Sequence, residues 1–238
     1  LMNMEYFDYC SGLTMTSPAF DRLFGGPPRA PESDLSQRDM DLAASVQNVV
    51  ETAMLRLVDR SHREVGGQNL CMSGGVALNC VANGRIAREG PFENIWVQPA
   101  AGDAGSAIGA ALSVWHREFE GGREVNGHTD CQSASLLGPS WTNSEIEDFL
   151  TVIGAPFHRL EDDDLLKTTA RHLANGAIVG WFQGRMEFGP RALGNRSILG
   201  DPRQPEMQRD MNLKIKHRES FRPFAPSVLA EKADEYFD

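Results

Sequence analysis

The chain has 238 residues, 41% of them hydrophobic, and a formal net charge of −10. This length allows one large domain or two ordinary ones with a buried core, and the acidic balance argues against general nucleic-acid binding. No apolar stretch approaches the roughly 20 residues that cross a bilayer, and no secretion signal is visible, so we expect a cytoplasmic protein.

The first half of the chain predicts alternating strands and helices. A turn-rich loop, Phe24–Pro31, should precede a long helix over residues 37–64, which Ser36 and Asp39 begin as a weak capping box. Two strand–loop–helix units should follow. They comprise strand Asn69–Met72 with a helix over 76–88, and strand Asn94–Val97 with a helix over 106–119. This alternation indicates an α/β domain.

The second half is predicted to be a separate domain of mixed helices and strands. Residues 120–140 lose periodicity and gather Gly, Asn, Ser and Pro, as an inter-domain crossing does. We therefore place the domains at 1–139 and 140–238. Beyond the boundary we expect helices over 143–153, 163–175 and 206–215, and a strand over 177–182.

The two loops after the predicted strands carry candidate ligand-binding residues. Ser73-Gly74-Gly75 ends one strand and opens a helix, so its backbone amides could face an anion or a nucleotide, with Asn79 one turn further in. Asp103 follows the next strand, where α/β sheets bind ligands, and could hold a metal ion. Each motif alone is more often structural, the first as a tight turn and the second as a helix N-cap.

Residues 180–199 contain the strongest functional signal. Three arginines, Arg185, Arg191 and Arg196, stand with Glu187 among four glycines. A guanidinium matches phosphate geometry and glycines allow close backbone approach, which predicts an anion-binding active-site loop. The turn Phe188-Gly189-Pro190 should focus the arginines on one point. Glu187 could orient an arginine, act as a base or, more simply, form a salt bridge.

A basic segment, residues 212–226, follows this loop. It adds four cations, Lys214, Lys216, Arg218 and Arg222. Residues 176–222 thus carry a local charge of +4, whereas the remainder carries −14. One basic island in an acidic body indicates a small anionic ligand, although a solvated basic surface is the alternative.

Cysteine, histidine and serine patterns narrow the chemistry. The cysteines Cys10, Cys71, Cys80 and Cys131 lack metal-ligand or disulfide-framework spacing, so four free thiols are expected. No two of the six histidines are three or four residues apart, which excludes a helical pair of metal ligands. The sequence also lacks a nucleophile elbow of the Gly-x-Ser-x-Gly type, which argues against a serine hydrolase.

Four sequence blocks together resemble the O-carbamoyltransferases of nodulation-factor and antibiotic biosynthesis. These blocks span residues 71–80, 99–105, 180–199 and 221–229. The opening segments 9–16 and 24–29 look like the same family, so the resemblance extends over nearly the whole chain. It implies the second lobe of an actin-like ATPase (ribonuclease H-like) domain, followed by the start of a YrdC-like α+β domain.

The resemblance also implies a two-step reaction. Carbamoyl phosphate and ATP would give carbamoyl-adenylate, and the carbamoyl group would pass to a hydroxyl of a secondary metabolite or sugar at a metal-assisted site. Ser73, Gly74, Gly75 and Asn79 match the nucleotide-binding loop, and Asp103 matches a ligand of a divalent metal, Fe2+ by analogy. The expected contacts of carbamoyl phosphate and adenylate are Arg185, Glu187, Arg191, Asn195, Arg196, Lys214 and Arg222, with the three arginines catalytic.

The sequence departs from this family pattern in extent. The paired metal-ligand histidines of the first actin-like half are absent, so we expect an internal fragment that is inactive alone and that can form a homodimer through exposed apolar surface. Two alternatives stay open at this point. One is a tRNA threonylcarbamoyl-type enzyme, which the acidic body disfavours, and the other is a non-catalytic nucleotide-binding or interaction module.

Overall fold

The computed structural model describes residues 3–123 and 132–237. A 3₁₀ turn, Met4–Tyr6, precedes the first α-helix, α1 (Pro18–Leu23), whose N-cap Ser17 accepts a hydrogen bond from the backbone of Ala19. The long helix α2 (Gln37–Val65) follows, and its start is the predicted capping box: Ser36 and Asp39 bond reciprocally through side chain and backbone. Gly66, at φ 71°, ends α2 in a backbone conformation that suits glycine.

Two strand–loop–helix units form the next layer, as predicted. Strands β1 (Asn69–Met72) and β2 (Asn94–Val97) pair in parallel, with Leu70 opposite Ile95. Helices α3 (Cys80–Glu89) and α4 (Asp103–Arg117) follow the respective strands. A core cluster lies between α2, α3 and the sheet, and it consists of Met54, Val58, Ala82, Ile86 and Phe92.

The second region contains helices and one antiparallel strand pair. Helix α5 (Asn143–Val152) starts with a capping box between Thr142 and Glu145, and α6 (Asp162–Ala174) follows. Strands β3 (Val179–Phe182) and β4 (Arg196–Leu199) pair across the arginine loop, with Gly180 opposite Ile198. Helix α7 (Met207–Asp210) continues directly into a π-helical turn, Met211–Ile215.

The structure corrects three of the predicted helices and adds one strand. The helix expected over 206–215 is a short α-helix, Met207–Asp210, followed by the π-helical turn Met211–Ile215. The helix expected over 76–88 is divided into a 3₁₀ turn, Gly75–Leu78, and α3, because Asn79 leaves the helical conformation to cap α3. Helix α4 starts at Asp103 rather than Ser106, since Gly102 takes the N-cap position. Strand β4 was not expected, because its residues form part of the arginine-rich motif and show no alternation of apolar and polar types.

The remaining structural expectations concern thiols and membrane segments. Cys10, Cys71 and Cys80 are free and exposed, as expected, whereas Cys131 lies outside the described residues. The predicted inter-domain crossing, 120–140, lies partly outside them as well. Within 3–123 and 132–237, no helix has both the length and the apolar character needed to cross a membrane.

Candidate functional site

The two strand-end loops of the first region are joined by a backbone hydrogen bond. The amide of Gly74 donates to the carbonyl of Ala101 at 2.8 Å, and Gly74 adopts φ 100°, which a side-chain-bearing residue rarely does. Ala100 and Ala101 are buried beneath these loops. The structure therefore brings the glycine turn and the loop before Asp103 together, as parallel strands require.

Asn79 is held from two directions. Its side-chain oxygen accepts from the backbone of Ala82 at 3.1 Å and from Nε2 of Gln47 at 3.1 Å, while its Nδ2 donates to Oε1 of Gln47 at 2.9 Å. Gln47 also donates to Glu51, which forms an ion pair with Arg85. Asn79 thus caps α3 and ties it to α2, and one N–H of its amide is left for a ligand.

Asp103 is the first residue of α4 and is exposed. Its place at a helix N-terminus favours a negative charge through the helix dipole. A search of the described residues finds no group of three or more His, Cys, Asp or Glu side chains that could hold a metal ion. The described residues therefore do not by themselves form a complete site for the expected metal.

A cleft of about 840 Å³ lies along strands β3 and β4. Strand residues form one side and the end of the arginine loop, Ala192–Gly194, forms another. Segment Phe224–Ser227 also lines the cleft, and Arg196 and Lys216 are the two cations on the lining. An apolar cleft with two cations suits a ligand that combines a phosphate with an uncharged group.

The three predicted arginines do not all reach this cleft. Arg196 lines it and donates to the carbonyl of Gly189 at 3.0 Å. Arg185 donates instead to the carbonyl of Gly138 at 3.0 Å, and Arg191 is exposed. Neither of these two is among the residues that line the cleft within the described chain. Of the three arginines, the structure thus brings Arg196 alone onto the lining of this cleft.

Glu187 organises the loop from inside. Only 2% of the residue is exposed, and its Oε1 accepts from the amides of Leu193 at 2.6 Å and Asn195 at 2.9 Å. Burial raises the pKa of the carboxyl, but hydrogen bonds from backbone amides, including that of Arg196, outweigh burial and hold the pKa below 4.5. Among the described residues Glu187 forms no salt bridge, so the simplest sequence-based interpretation of this residue is wrong.

The other predicted ligand contacts are arranged around the loop and the basic segment. The side chain of Asn195 donates to the carbonyl of Arg185 at 3.0 Å, which closes the base of the loop. Lys214 pairs with Asp210 at 2.7 Å, and Arg222 is exposed, its carbonyl accepting from Asn212. These side chains do not line the cleft in the described structure.

Lys216 is the lining cation that the predicted contact set omits. It belongs to the basic segment, but sequence spacing gave no reason to prefer it over Lys214, two residues earlier. The π-helical turn Met211–Ile215 ends at Lys216, and such turns change which side chains share a face. No local sequence signal could have identified that turn.

Both candidate sites meet at one dipeptide. Gly74 bonds to Ala101, and a Cβ added to Gly189 of the arginine loop would lie 2.8 Å from the Cβ of Ala100. Gly189 also accepts the hydrogen bond from Arg196. The glycine turn and the arginine loop thus both contact the dipeptide Ala100-Ala101.

Comparison with known proteins identifies the family. The chain matches the model described as Carbamoyltransferase N-terminus over residues 1–112 and the model described as Carbamoyltransferase C-terminus over residues 170–238. These two matches cover about three quarters of the chain. The chain belongs to the carbamoyltransferase family.

Individual relatives agree with this assignment. An uncharacterized protein of Synechocystis sp. is 60% identical over 239 residues, which cover 100% of this chain and 39% of that protein. The nodulation protein NolO of Bradyrhizobium diazoefficiens is 42% identical over 204 residues, covering 85% of this chain and 36% of that protein. The nodulation protein NolNO of Sinorhizobium fredii is 42% identical over 205 residues, covering 85% and 29%.

The chain therefore spans between 29% and 39% of the length of these curated relatives. The matched stretch nevertheless includes the glycine turn, the Asp103 loop and the arginine loop when both family models are considered.

Proposed function

We propose that the protein to which this chain belongs transfers a carbamoyl group from carbamoyl phosphate, via carbamoyl-adenylate and at the expense of ATP, to a hydroxyl of a secondary metabolite or sugar. The observation that supports this most directly is the cleft between β3, β4 and Phe224–Ser227. It carries Arg196 and Lys216 in a chain of the carbamoyltransferase family. Two cations on a mainly apolar lining suit a phosphate attached to a small neutral group.

The proposed reaction balances as follows. Carbamoyl phosphate loses inorganic phosphate to water and leaves carbamate. A carbamate oxygen attacks the α-phosphorus of ATP, and pyrophosphate leaves as the bond to the bridging oxygen breaks. The acceptor hydroxyl oxygen then bonds to the carbamoyl carbon, AMP leaves, and the hydroxyl proton passes to a base.

The roles of the cleft residues follow from their chemistry. Arg196 keeps most of its five N–H donors after its single bond to Gly189, so it can hold phosphate oxygens and stabilise charge on a leaving group. Lys216 adds a compact cation on the same lining. Glu187 acts indirectly, because its bonds to Leu193 and Asn195 fix the loop that carries Arg196.

The first region is proposed to bind the nucleotide. Residues 1–139 would be the C-terminal lobe of the actin-like domain, with the turn at Ser73, Gly74 and Gly75 near the phosphates. The free N–H of Asn79 could donate to a sugar hydroxyl, since its oxygen is already used by Gln47 and Ala82. Residues 140–238 would begin the YrdC-like domain.

The expected divalent metal does not fit the residues of this chain by themselves. A bound ion needs several ligands, and the described residues contain no group of three or more His, Cys, Asp or Glu side chains that could supply them. No step above is assigned to the metal, and Asp103 would be one ligand of such a site in the complete protein.

The proposal is tested by incubating the complete protein with ATP, carbamoyl phosphate and iron(II), and measuring carbamoyl-adenylate by mass spectrometry. We expect Arg196→Ala to lower the rate of adenylate formation by roughly 100-fold or more. Arg191→Ala, which changes an exposed arginine of the same loop, should have a smaller effect.

The matched control is Arg60→Ala. Arg60 is an arginine on α2 whose side chain is 72% exposed and pairs with Glu64 at 2.7 Å. This variant should form adenylate at the normal rate. If the unmodified protein forms no carbamoyl-adenylate, or if Arg196→Ala matches Arg60→Ala, the proposed chemistry at this cleft is wrong.

A further inference from the structure

The loop before α2 contacts the basic segment near the end of the chain. The backbone amide of Ser220 donates to Oε1 of Glu32 at 2.8 Å, and the Ser220 hydroxyl donates to Oε2 of Glu32 at 2.8 Å. Arg29 forms an ion pair with Glu219 and lies over the ring of Phe221, 5.8 Å from its centroid. We call these contacts the clasp. It joins residues that lie almost 190 positions apart in the sequence.

The backbone of Glu32 is held in an unusual conformation. Its φ is 62°, in the left-handed region, which costs a residue with a Cβ roughly 1 kcal/mol. Backbone strain of this kind persists where surrounding contacts require it. At Glu32 both carboxylate oxygens are bonded to Ser220, so the strained backbone presents the side chain to the basic segment.

The side chain of Arg29 is also held by hydrogen bonds within its own loop. Its guanidinium donates to the carbonyl of Ala30 at 3.0 Å and also to the carbonyl of Ser33. Ser33 in turn donates to Ala30 at 2.7 Å, which closes the loop upon itself. The side chain of Arg29 is only 15% exposed. The loop therefore offers a preformed surface to residues 219–221.

The backbone carbonyls of the same segment also accept hydrogen bonds. Asn212 is fully buried and its Nδ2 donates to the carbonyls of Ser220 at 3.1 Å and Arg222 at 2.7 Å. Gln208 donates to the carbonyls of Phe221 and Arg222. Residues 220–222 are thus held on their carbonyl side by α7 and the π-helical turn, and on the amide side of Ser220 by Glu32.

The basic segment supplies two parts of the cleft wall. Along the sequence, the residues of the clasp lie between these two parts. Lys216 precedes residues 219–221, and Phe224–Ser227 follow them. A shift of the clasped residues would move both parts together. The amide and hydroxyl of Ser220 also hold the pKa of Glu32 below 4.5, so the carboxylate that makes these contacts is ionised at neutral pH.

We propose that Glu32 is a positioning residue that holds the basic segment through Ser220, so that Lys216 and Phe224–Ser227 face the ligand in the cleft. This role rests on the proposed carbamoyl phosphate site. Glu32 does not touch the ligand. Glu32 acts through the position of the cleft wall and not on the reacting atoms. Removing its side chain should therefore weaken ligand binding more than it slows the chemical step.

Two measurements on the complete protein test the role. Glu32→Ala should raise KM for carbamoyl phosphate roughly tenfold and change kcat by no more than about twofold, because displacement of the wall impairs positioning. Hydrogen exchange in peptides covering residues 216–227 should accelerate in the same variant. The exchange measurement needs no substrate and does not depend on the proposed reaction.

Glu32→Gln provides the rescue variant. Its side-chain oxygen can accept from the Ser220 amide and its nitrogen can donate to the Ser220 hydroxyl, so KM and exchange should stay within about twofold of normal. Glu64→Ala is the control, since it removes an exposed pair within α2, where the Glu64 side chain is 58% exposed. It should change neither quantity.

The outcomes separate the two proposals. Unchanged exchange in Glu32→Ala overturns the clasp as a restraint on the basic segment. Faster exchange with an unchanged KM overturns the positioning role. A protein that shows no turnover of carbamoyl phosphate contradicts the proposed function alone, and the exchange of residues 216–227 then still decides whether Glu32 holds the segment.

Discussion

The interiors of the two regions of the molecule are stabilised by different kinds of interaction. Between α2, α3 and the parallel strands, the buried side chains are mainly apolar, with Ile86 fully buried at the centre. In the region after residue 132, four polar residues are buried beside two methionines. The polar residues are Ser135, Glu187, Asp201 and Asn212. The first region thus has an apolar core, whereas the second is organised by buried polar side chains.

This difference explains where a binding site can form. Apolar contacts are nondirectional and tolerate repacking, whereas a buried carboxylate or amide with several partners fixes the backbone around it in one arrangement. Glu187 fixes the arginine loop and Asn212 fixes the basic segment. The cleft lies between these two fixed segments, so its walls are preorganised by polar groups that are not themselves on the lining.

The largest expected effect comes from the apolar core. Ile86→Ala should lower the free energy of unfolding of the first region by about 4 kcal/mol, because Ile86 is fully buried and the cavity cannot close completely. Ile86→Val should cost about 1 kcal/mol. Native-state hydrogen exchange of peptides from α3 measures both. Similar losses for the two variants would mean that this core is not closely packed.

A smaller loss is expected when the polar organisation of the second region is broken. Asn212→Ala should destabilise that region by about 3 kcal/mol, because Nε of Arg218 and the carbonyl of Ser220 lose a partner in a buried setting. The measurement is exchange in peptides covering 207–227. The matched control is Gln208→Ala, which removes two exposed hydrogen bonds of the side-chain amide that water can replace. Equal effects would contradict the importance of burial.

The contact between the regions can be broken at one glycine. Gly189→Ala should cost about 2 kcal/mol, because φ is 101° and the new Cβ would lie 2.8 Å from the Cβ of Ala100. Gly154→Ala, at φ 66° with no atom within 4 Å, isolates the conformational part of the cost. Thermal unfolding of the complete protein measures both. Ala100→Gly should partly rescue Gly189→Ala, and failure to do so would mean that this contact is not the cause.

How far the sequence could predict these features depended on the range of the interactions. Local patterns predicted α2 with its capping box and both strands of the parallel pair, whereas the functional role of the arginine loop stays a prediction. The roles of Arg185 and Lys216 were not predictable, because they depend on a bond to Gly138 and on a π-helical turn. The clasp of Glu32 with Ser220 joins distant residues and leaves no periodic signal in the sequence.

The smallest effect concerns the protonation of Glu187. Its folded-state pKa lies below 4.5, so the carboxylate stabilises the fold fully above about pH 4.5 and loses this contribution as pH falls through the folded-state pKa. Glu187→Gln keeps one acceptor for Leu193 and Asn195 but lacks the charge, and should cost about 1 kcal/mol at pH 7. The stability difference between the two proteins, followed by urea denaturation, should shrink as the pH is lowered below 4.5. A difference that stays constant across this range would show that the charge of Glu187 does not hold the arginine loop, and that its shape alone does.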